Sequence, residues 1–394
     1  MTREPGEESL LSKIIIVGAV LILILVMGSC VFIIYNYMQP HNSAQASDTP
    51  LPPTATPVPV QFPSNITVTP APTVQSNPNA TVDPDKSGIY ESDTRVTSGD
   101  FQYFNIGVWN NYIVYDMNDG AKNYSMLYNV NTRQTQQIDS GTVFSYGAIS
   151  DGKLVLYYPL NGNRIYLYNI QTGEKDLSCT DDDSARNSVT MSDTKLAYYQ
   201  DDGHKNSDGS WSPDYAIYVL DLVSGQTASV INDIPKPLDM SMYDNELVYT
   251  VMTGSGSDVY YLDLSALHPT PKKISVKSGD NNHARIYGNW IVYYSDCDGS
   301  NHIYLYNIQT GQTTEPAPDS QQQSADIYGT TVVYDDNRFG NWDIFSYDVI
   351  THVETQLTNE PSDQMYPVIN GNLIAYFDNR DNTTYPQIYT MTIS

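Results

Sequence analysis

The chain has 394 residues and a formal net charge of −26 at pH 7, and 33 of its residues are tyrosine. This acidic balance argues against a nucleic-acid partner, because no basic surface is available for phosphates. The many tyrosines and the few long apolar runs indicate half-buried strands and an all-β composition.

An apolar run at residues 14–36 follows a short N-terminus at residues 1–13. It is uncharged, mostly aliphatic and long enough to cross the roughly 30 Å hydrocarbon layer of a membrane as a helix. Arg3 and Lys13 precede the run and no Lys or Arg follows it closely, so the basic side is cytoplasmic. We predict a single-pass protein of the cell membrane whose C-terminal domain is extracellular. A cleaved signal peptide is the alternative, but the apolar residues beyond Cys30 favour the anchor.

Residues 37–88 are rich in Pro, Thr, Ser, Asn and Ala and show no hydrophobic periodicity. Such a segment cannot bury a core, and its prolines favour extended polyproline II structure. We therefore predict a semi-rigid extracellular stalk. Glycosylation sequons begin at Asn65, Asn79, Asn123 and Asn382, which makes the chain a candidate glycoprotein.

Residues 89–394 repeat a six-residue frame of an apolar residue, any residue, a turn pair, any residue and an apolar residue. Its seven copies begin at Val108, Ile149, Met191, Met242, Ile286, Ile327 and Ile369, at spacings of 41, 42, 51, 44, 41 and 42 residues. Runs of β-branched and aromatic residues separated by turn residues follow each copy. This period without helical patterns is typical of four-stranded propeller blades. We predict an all-β, seven-bladed β-propeller of four-stranded antiparallel blades.

The seventh repeat lacks a fourth strand, because the chain stops at Ser394 soon after its third. The segment at residues 92–98 resembles the end of a fourth strand that leads into a blade. We therefore expect this N-terminal segment to complete the seventh blade and close the propeller, which removes exposed sheet edges.

Acidic residues concentrate in the loops that follow the second and fourth strands, and these loops share one face of a propeller. The candidate ligand-binding residues on this loop-rich face are Asp201, Asp202, His204, Trp211, Asp335, Asp336 and Asp378. Clustered carboxylates and amides suit Ca²⁺, for which the candidate ligands are Asp296, Asp298 and Asn301. The alternative is that Asp and Asn simply form turns here.

The segment YDDNRFGNWDIFSYD at residues 334–348 resembles the repeat of TolB-type, WD-repeat-like β-propellers. The resemblance covers residues 89–394 and implies the propeller fold. With an anchor and a stalk, the layout is also similar to the surface propeller proteins of methanogenic archaea. The resemblance further implies that the Arg and Asp of the repeat are mainly structural.

No nucleophile-elbow motif and no metal-ligand spacing of histidines occur in the chain. We therefore predict that it is not an enzyme but a membrane-anchored, non-catalytic binding or adhesion module, with calcium as its candidate cofactor. Its expected partner is a cell-envelope protein or glycan. The alternative is an extracellular propeller enzyme that hydrolyses a glycan or a lactone at an acidic, metal-assisted site on the loop-rich face.

Overall fold

The structure is a computed structural model, and it describes residues 93–141, 143–158, 164–177, 186–296, 299–317, 320–381 and 383–393. Within these ranges the strands form seven four-stranded antiparallel sheets and one two-stranded ribbon. The innermost strands of successive sheets contact one another, and the innermost strand of the seventh contacts that of the first. The prediction of an all-β, seven-bladed propeller is therefore confirmed.

The predicted transmembrane helix at residues 14–36 and the predicted stalk at residues 37–88 lie outside the described residues. In the described part of the chain, no helix is long and apolar enough to span a membrane. Both segments stay predictions.

Six blades begin with their innermost strand and end with their outermost one, whereas the N-terminal strand β1 (Thr94–Arg95) belongs to the seventh. Blade 1 contains β2 (Gln102–Trp109), β3 (Tyr112–Asn118), β4 (Asn123–Asn129) and β5 (Gln134–Ser140). Blade 2 contains β6 (Val143–Ser150), β7 (Lys153–Tyr158), β8 (Arg164–Asn169) and β9 (Lys175–Leu177). Blade 3 contains β10 (Arg186–Met191), β11 (Lys195–Asp201), the ribbon strands β12 (His204–Lys205) and β13 (Trp211–Ser212), β14 (Tyr215–Asp221) and β15 (Thr227–Ile234).

The remaining blades repeat this order of strands. Blade 4 contains β16 (Pro237–Tyr243), β17 (Glu246–Thr253), β18 (Gly256–Asp263) and β19 (Lys272–Lys273). Blade 5 contains β20 (Asn281–Tyr287), β21 (Trp290–Ser295), β22 (His302–Asn307) and β23 (Thr313–Thr314). Blade 6 contains β24 (Gln322–Tyr328), β25 (Thr331–Asp336), β26 (Asp343–Asp348) and β27 (Glu354–Gln356). Blade 7 contains β28 (Gln364–Asn370), β29 (Leu373–Asp378) and β30 (Gln387–Thr392), to which β1 adds the outermost strand.

The second strand of a blade is buried on both faces, because a neighbouring blade packs on each side. In β25, Val332, Val333 and Tyr334 are all fully buried. Val332 and Tyr334 pack with residues of blade 5, such as Leu305, whereas Val333 packs with residues of blade 7, such as Ile374. Successive side chains of a strand point to opposite faces. The hydrophobic core of this fold therefore lies between the blades.

Tight turns join the first and second strands of the blades. Asn110, Asp151 and Asp244 have φ values of 50°, 45° and 50° in these turns, and Gly288 and Gly371 have 54° and 61°. This left-handed region favours glycine and is tolerated by Asn and Asp, whereas a β-branched residue would be strained there. In these blades the turn residues thus explain why the chain reverses direction at the repeated frame.

Some innermost strands contain a β-bulge before they reach these turns. The bulge of β20 includes His283 and that of β28 includes Tyr366, whose φ values are 52° and 56°. A bulge inserts an extra residue and bends the strand. The residues that follow each bulge, such as Arg285, then line the central channel.

The N-terminal segment pairs with the last strand of the chain. Thr94 and Arg95 of β1 lie opposite Thr390 and Tyr389 of β30 in antiparallel register. Beyond them, the backbone N–H of Val96 donates a hydrogen bond of 2.8 Å to the carbonyl oxygen of Ile388. Blade 7 is therefore assembled from both ends of the described chain.

Candidate functional site

A cavity of about 450 Å³ occupies the central channel at the end where the tight turns lie, which we call the turn-side mouth. Residues from the innermost strands and from the turns after them line it. Its charged residues are Asp151, Asp193, Asp244, Arg285 and Asp326. The cavity therefore opens on the face opposite to the loop-rich face on which the sequence placed the contact surface.

Asp326 lies half-buried in the wall of this channel. Its Oδ1 accepts a 2.9 Å hydrogen bond from the backbone N–H of Ile327, and its Oδ2 accepts one of 2.9 Å from Ile369 of the next blade. Desolvation raises the pKa of Asp326, while the charge of Arg285 and the backbone donors oppose the rise. A carboxyl group with a raised pKa holds a proton at a pH where an ordinary aspartate does not.

Arg285 is the cation on the channel wall, and its side chain is buried. Its Nη1 donates a 2.8 Å hydrogen bond to the carbonyl oxygen of Ala284. Two residues earlier, the backbone N–H of His283 donates a 2.9 Å hydrogen bond to Oδ2 of Asp239 in the preceding blade. Desolvation lowers the pKa of His283, and Arg285 lowers it further against the opposing effect of Asp239. The lowered pKa favours the neutral imidazole.

Carboxylates also lie along one side of the turn-side mouth. Asp151, Asp193 and Asp244 are exposed and belong to turns of three successive blades. Ser150 Oγ donates a hydrogen bond to Oδ1 of Asp193 and thereby links blades 2 and 3. The channel thus has exposed carboxylates at its rim and, at Asp326, a carboxyl group with a raised pKa in its wall.

Asp335, a residue that the sequence placed on the loop-rich face, is fully buried in the structure. Its Oδ1 accepts hydrogen bonds from the backbone N–H groups of Gln323 at 3.3 Å and Ser324 at 2.8 Å. Its Oδ2 accepts one of 3.0 Å from Tyr366 in blade 7. Asp335 therefore holds the innermost strands of two neighbouring blades together and does not contribute to the exposed surface.

Asp336 and Asp378 are likewise buried, and each binds an arginine two residues further on. Arg338 donates from Nε and Nη2 to Asp336, at 3.0 and 2.7 Å, and from Nη1 and Nη2 to Glu354, both at 2.8 Å. Arg380 donates from Nε to Asp378 at 2.8 Å. These pairs fix the loops between second and third strands, so the expected exposure of Asp336 and Asp378 is corrected.

The insertion of blade 3 brings four of the predicted residues together. His204 lies opposite Ser212 in the ribbon of β12 and β13, and Trp211 is 52% exposed. Trp211 Nε1 donates a 3.0 Å hydrogen bond to Oδ2 of Asp201. Asp202 accepts one of 2.6 Å from the hydroxyl of Tyr218. The exposed indole is thus held by its own loop, and its role in ligand binding stays a prediction.

The predicted calcium ligands are described only in part, because Asp298 lies outside the described residues. Oδ1 of Asp296 accepts a 2.7 Å hydrogen bond from the backbone N–H of Asp280, and Oδ1 of Asn301 accepts one of 2.8 Å from the Tyr294 hydroxyl. Among the described residues, no three His, Cys, Asp or Glu side chains lie together as metal ligands. Calcium at this loop stays a prediction.

Sequence reasoning missed the channel residues, although a signal for them was present. The residue immediately before each repeated frame is, in chain order, Gly107, Ala148, Thr190, Ser241, Arg285, Asp326 and Val368. Most of these side chains are small, and the only two charged ones fall in adjacent blades. Aligning the seven frames and searching for charge in this column would have identified Arg285 and Asp326.

Several solved structures are similar to this propeller. An oligogalacturonate lyase in complex with manganese is 13% identical, with 80% of this chain and 96% of that chain covered and a TM-score of 0.59. The acylaminoacyl peptidase of Pyrococcus horikoshii is 11% identical, with 71% of this chain covered and a TM-score of 0.57. The propeller domain of the Trilobed protease of Pyrococcus furiosus is 11% identical, with 74% and 93% covered and a TM-score of 0.56.

This chain spans only 49% of the length of the acylaminoacyl peptidase. A TolB structure from Acinetobacter baumannii also matches, at 15% identity over 73% of this chain and 78% of that one, with a TM-score of 0.41. No protein-family model and no curated protein matches the chain. The neighbours with TM-scores above 0.5 are thus propellers of peptidases, a protease and a lyase, and the comparisons give no evidence for the resemblance to surface proteins of methanogenic archaea.

The comparisons correct the functional prediction. A non-catalytic binding or adhesion module was expected, and the neighbours are propellers of a lyase, a peptidase and a protease, so that prediction is contradicted together with the prediction of no enzyme. At 11 to 13% identity the likeness itself establishes only the fold. Because no three potential metal ligands converge among the described residues, we derive no catalytic step that uses manganese.

Proposed function

We propose that the protein is an extracellular propeller enzyme that hydrolyses a glycan in its central channel. The observation that carries this proposal is the placement of Asp326, a carboxyl group with a raised pKa, in a cavity whose rim bears exposed carboxylates. Glycoside hydrolysis requires this division between a protonated carboxyl group and an ionised one.

In the proposed reaction Asp326 is the general acid. It donates its proton to the glycosidic oxygen as the bond from that oxygen to the anomeric carbon breaks. An ionised carboxylate of the rim, Asp193 or Asp244, removes a proton from the water that attacks the anomeric carbon. Arg285 limits how far the pKa of Asp326 rises, so that the acid can still release its proton.

The charge of the molecule favours an uncharged substrate. The chain carries a formal charge of −26, and three exposed aspartates lie along one side of the entrance to the cavity. A polyanion would be repelled at this entrance over roughly 10 Å at moderate ionic strength. We therefore propose a neutral glycan of the cell envelope as the substrate.

The proposed location follows from the N-terminal sequence. Residues 14–36 are uncharged and mostly aliphatic, and residues 37–88 have the composition of a proline-rich spacer. We propose that they anchor the propeller to the cell membrane and hold it outside the cell near envelope polymers. Protease treatment of intact cells tests the orientation, because an extracellular propeller is lost from them whereas a cytoplasmic one is protected.

A hydrolysis assay with the full chain tests the activity. Neutral glucans, xylans, mannans and chitin oligosaccharides are incubated with the protein, and new reducing ends are measured. The Asp326→Asn variant cannot donate a carboxyl proton and should lose activity by about 100-fold or more. Asp221→Asn is the matched control, because Asp221 forms a turn on the same side of blade 3 outside the channel, and an amide oxygen can still accept its hydrogen bonds.

The outcome is read together with the folded state of each variant. Asp326→Asn should melt within a few degrees of the wild type, since its amide oxygen retains one of the two backbone donors. Absence of hydrolysis on every polymer, or full activity in a folded Asp326→Asn variant, would refute the proposed function.

A further inference from the structure

The turn-side mouth has two chemically different walls. The last residues of the innermost strands of blades 4, 5 and 6 are Tyr243, Tyr287 and Tyr328. Blades 1, 2, 3 and 7 place Trp109, Ser150, Met191 and Asn370 at the equivalent position. All seven residues line the cavity. The row of three tyrosines therefore faces a mixed wall, in which the indole of Trp109 and the buried side chain of Met191 alternate with small, hydrogen-bonding side chains.

The three tyrosines form a continuous row. The ring centroids of Tyr243 and Tyr287 are 4.5 Å apart with an interplanar angle of 46°, and those of Tyr287 and Tyr328 are 4.5 Å apart at 44°. Desolvation raises the pKa of Tyr287, with further contributions from the hydroxyls of its two neighbours. The row is thus a packed, neutral, amphipathic surface whose side chains are only half-buried.

The mouth also contains polar groups. Ser192 belongs to the cavity lining, and its Oγ is buried just beneath the surface and has no hydrogen-bond partner among the described residues. A buried hydroxyl without a partner is costly unless water or a ligand satisfies it. Asp193 and Asp244 add exposed carboxylate oxygens that can accept hydrogen bonds.

We infer that the turn-side mouth is a binding subsite for a pyranose ring of a neutral oligosaccharide. A sugar ring has an apolar face of C–H groups and an edge of hydroxyls. The tyrosine row matches the first, and Ser192, Asp193 and Asp244 match the second. This inference rests on the proposed function, because it takes the substrate to be a neutral glycan. It assigns the positioning of that substrate to the tyrosine row.

Binding of neutral oligosaccharides to the full chain tests the inference. Calorimetric titrations with the hexasaccharides of cellulose, mannan, xylan and chitin are made with the Asp326→Asn variant, so that cleavage does not interfere. The sugar that binds is then titrated into the same protein carrying Tyr287→Leu or Tyr287→Phe. The first substitution removes the ring and should weaken binding about tenfold, or about 1.4 kcal/mol. The second retains the ring and should change binding less than threefold.

Tyr347→Leu is the matched control, because Tyr347 is also half-buried but lies on the third strand of blade 6, where its hydroxyl contacts His352. It should leave the affinity unchanged. Equal effects of Tyr287→Leu and Tyr347→Leu, or no binding of any hexasaccharide, would overturn the subsite. Binding that needs Tyr287, without hydrolysis by the wild type, would support the subsite and refute the proposed enzyme. Hydrolysis with a KM unaffected by Tyr287→Leu would support the proposed enzyme and refute the subsite.

Discussion

At the scale of single residues, the propeller contains carboxyl groups that its own packing keeps away from water. Asp343 is 2% exposed and lies opposite Asp336 in the pairing of β25 with β26. Desolvation raises the pKa of Asp343 to about 6, and nearby side-chain donors such as Thr358 only partly oppose it. The folded state therefore binds a proton more tightly than the unfolded chain does.

This raised pKa predicts a pH dependence of stability. Between the ordinary pKa of aspartate and about 6, the folded state carries more protons at Asp343 than the unfolded state. The free energy of unfolding should therefore fall as the pH rises from 4 through 6, by on the order of 2 kcal/mol from this group. Asp343→Asn should lack this component. Urea unfolding of both proteins at several pH values measures the difference, and a constant difference would contradict the prediction.

The contacts of Arg338 predict the effect of replacing it. Its guanidinium binds the carboxylates of Asp336 and Glu354 at once and lies over the ring of Phe345, 4.4 Å from the ring centroid. A lysine has a single ammonium group and cannot reproduce these paired bonds. Arg338→Lys should cost roughly 2 to 4 kcal/mol of stability, because the carboxylate of Asp336 stays buried.

Arg133→Lys is the control for that substitution, since Arg133 is exposed at a turn of blade 1. It should change the urea midpoint little. An Arg338→Lys protein as stable as the control variant would show that the buried carboxylate tolerates the weaker partner.

At the scale of elements, closure depends on a short N-terminal strand. The β1 strand has only two residues, yet the hydrogen bonds continue beyond it through Val96, and the Thr97 hydroxyl accepts a 2.8 Å bond from the Ile388 N–H. Blade 7 has its own hydrophobic contacts with blade 1 and would remain partly packed without this strand. Closure therefore adds stability to an already folded blade.

Removing one backbone donor tests this closure. Val96→Pro eliminates the N–H that bonds Ile388 and should lower the free energy of unfolding by about 1 to 3 kcal/mol. Val96→Ala keeps the N–H and loses only side-chain contacts, at a cost of roughly 1 kcal/mol. Hydrogen exchange should show faster exchange of β30 amides only in the proline variant. Unchanged exchange there would indicate that this bond does not hold the blade closed.

At the scale of the whole molecule, the net charge of −26 opposes the compact state. Raising NaCl from about 10 mM to about 0.5 M shortens the Debye length severalfold and should increase the melting temperature of the full chain by a few degrees. A melting temperature that is constant or falls would mean that local carboxylate pairing already compensates the repulsion.

Calcium can be distinguished from this general screening. At equal ionic strength, CaCl₂ should raise the melting temperature more than NaCl if the predicted ligands Asp296, Asp298 and Asn301 form a site, because a ligand that binds only the folded state stabilises it. Asn301→Ala should abolish the excess. If the melting temperature depends on concentration equally in CaCl₂ and NaCl, these residues form turns and do not bind calcium.

The tertiary structure separated predicted site residues that share one sequence signature. Asp201 and Asp335 both lie at the end of a second strand, but Asp201 binds an exposed indole in a loop, whereas Asp335 is fully buried between two blades. The sequence shows that an aspartate is present at the end of a strand. It does not show whether a neighbouring blade covers the side chain of that aspartate. The sequence analysis therefore overestimated the number of acidic side chains exposed on the loop-rich face, because Asp335, Asp336 and Asp378 are all buried.

The sequence by itself determined the number of blades, their strand pattern and their tight turns. These features depend on local chemistry, namely alternating β-branched and aromatic residues and turn residues that tolerate positive φ, repeated at a measurable period. Only the tertiary structure showed that residues preceding the repeated frames meet in one channel. Arg285 and Asp326 are 41 residues apart. They share a cavity because ring closure brings the innermost strands of all seven blades around one axis.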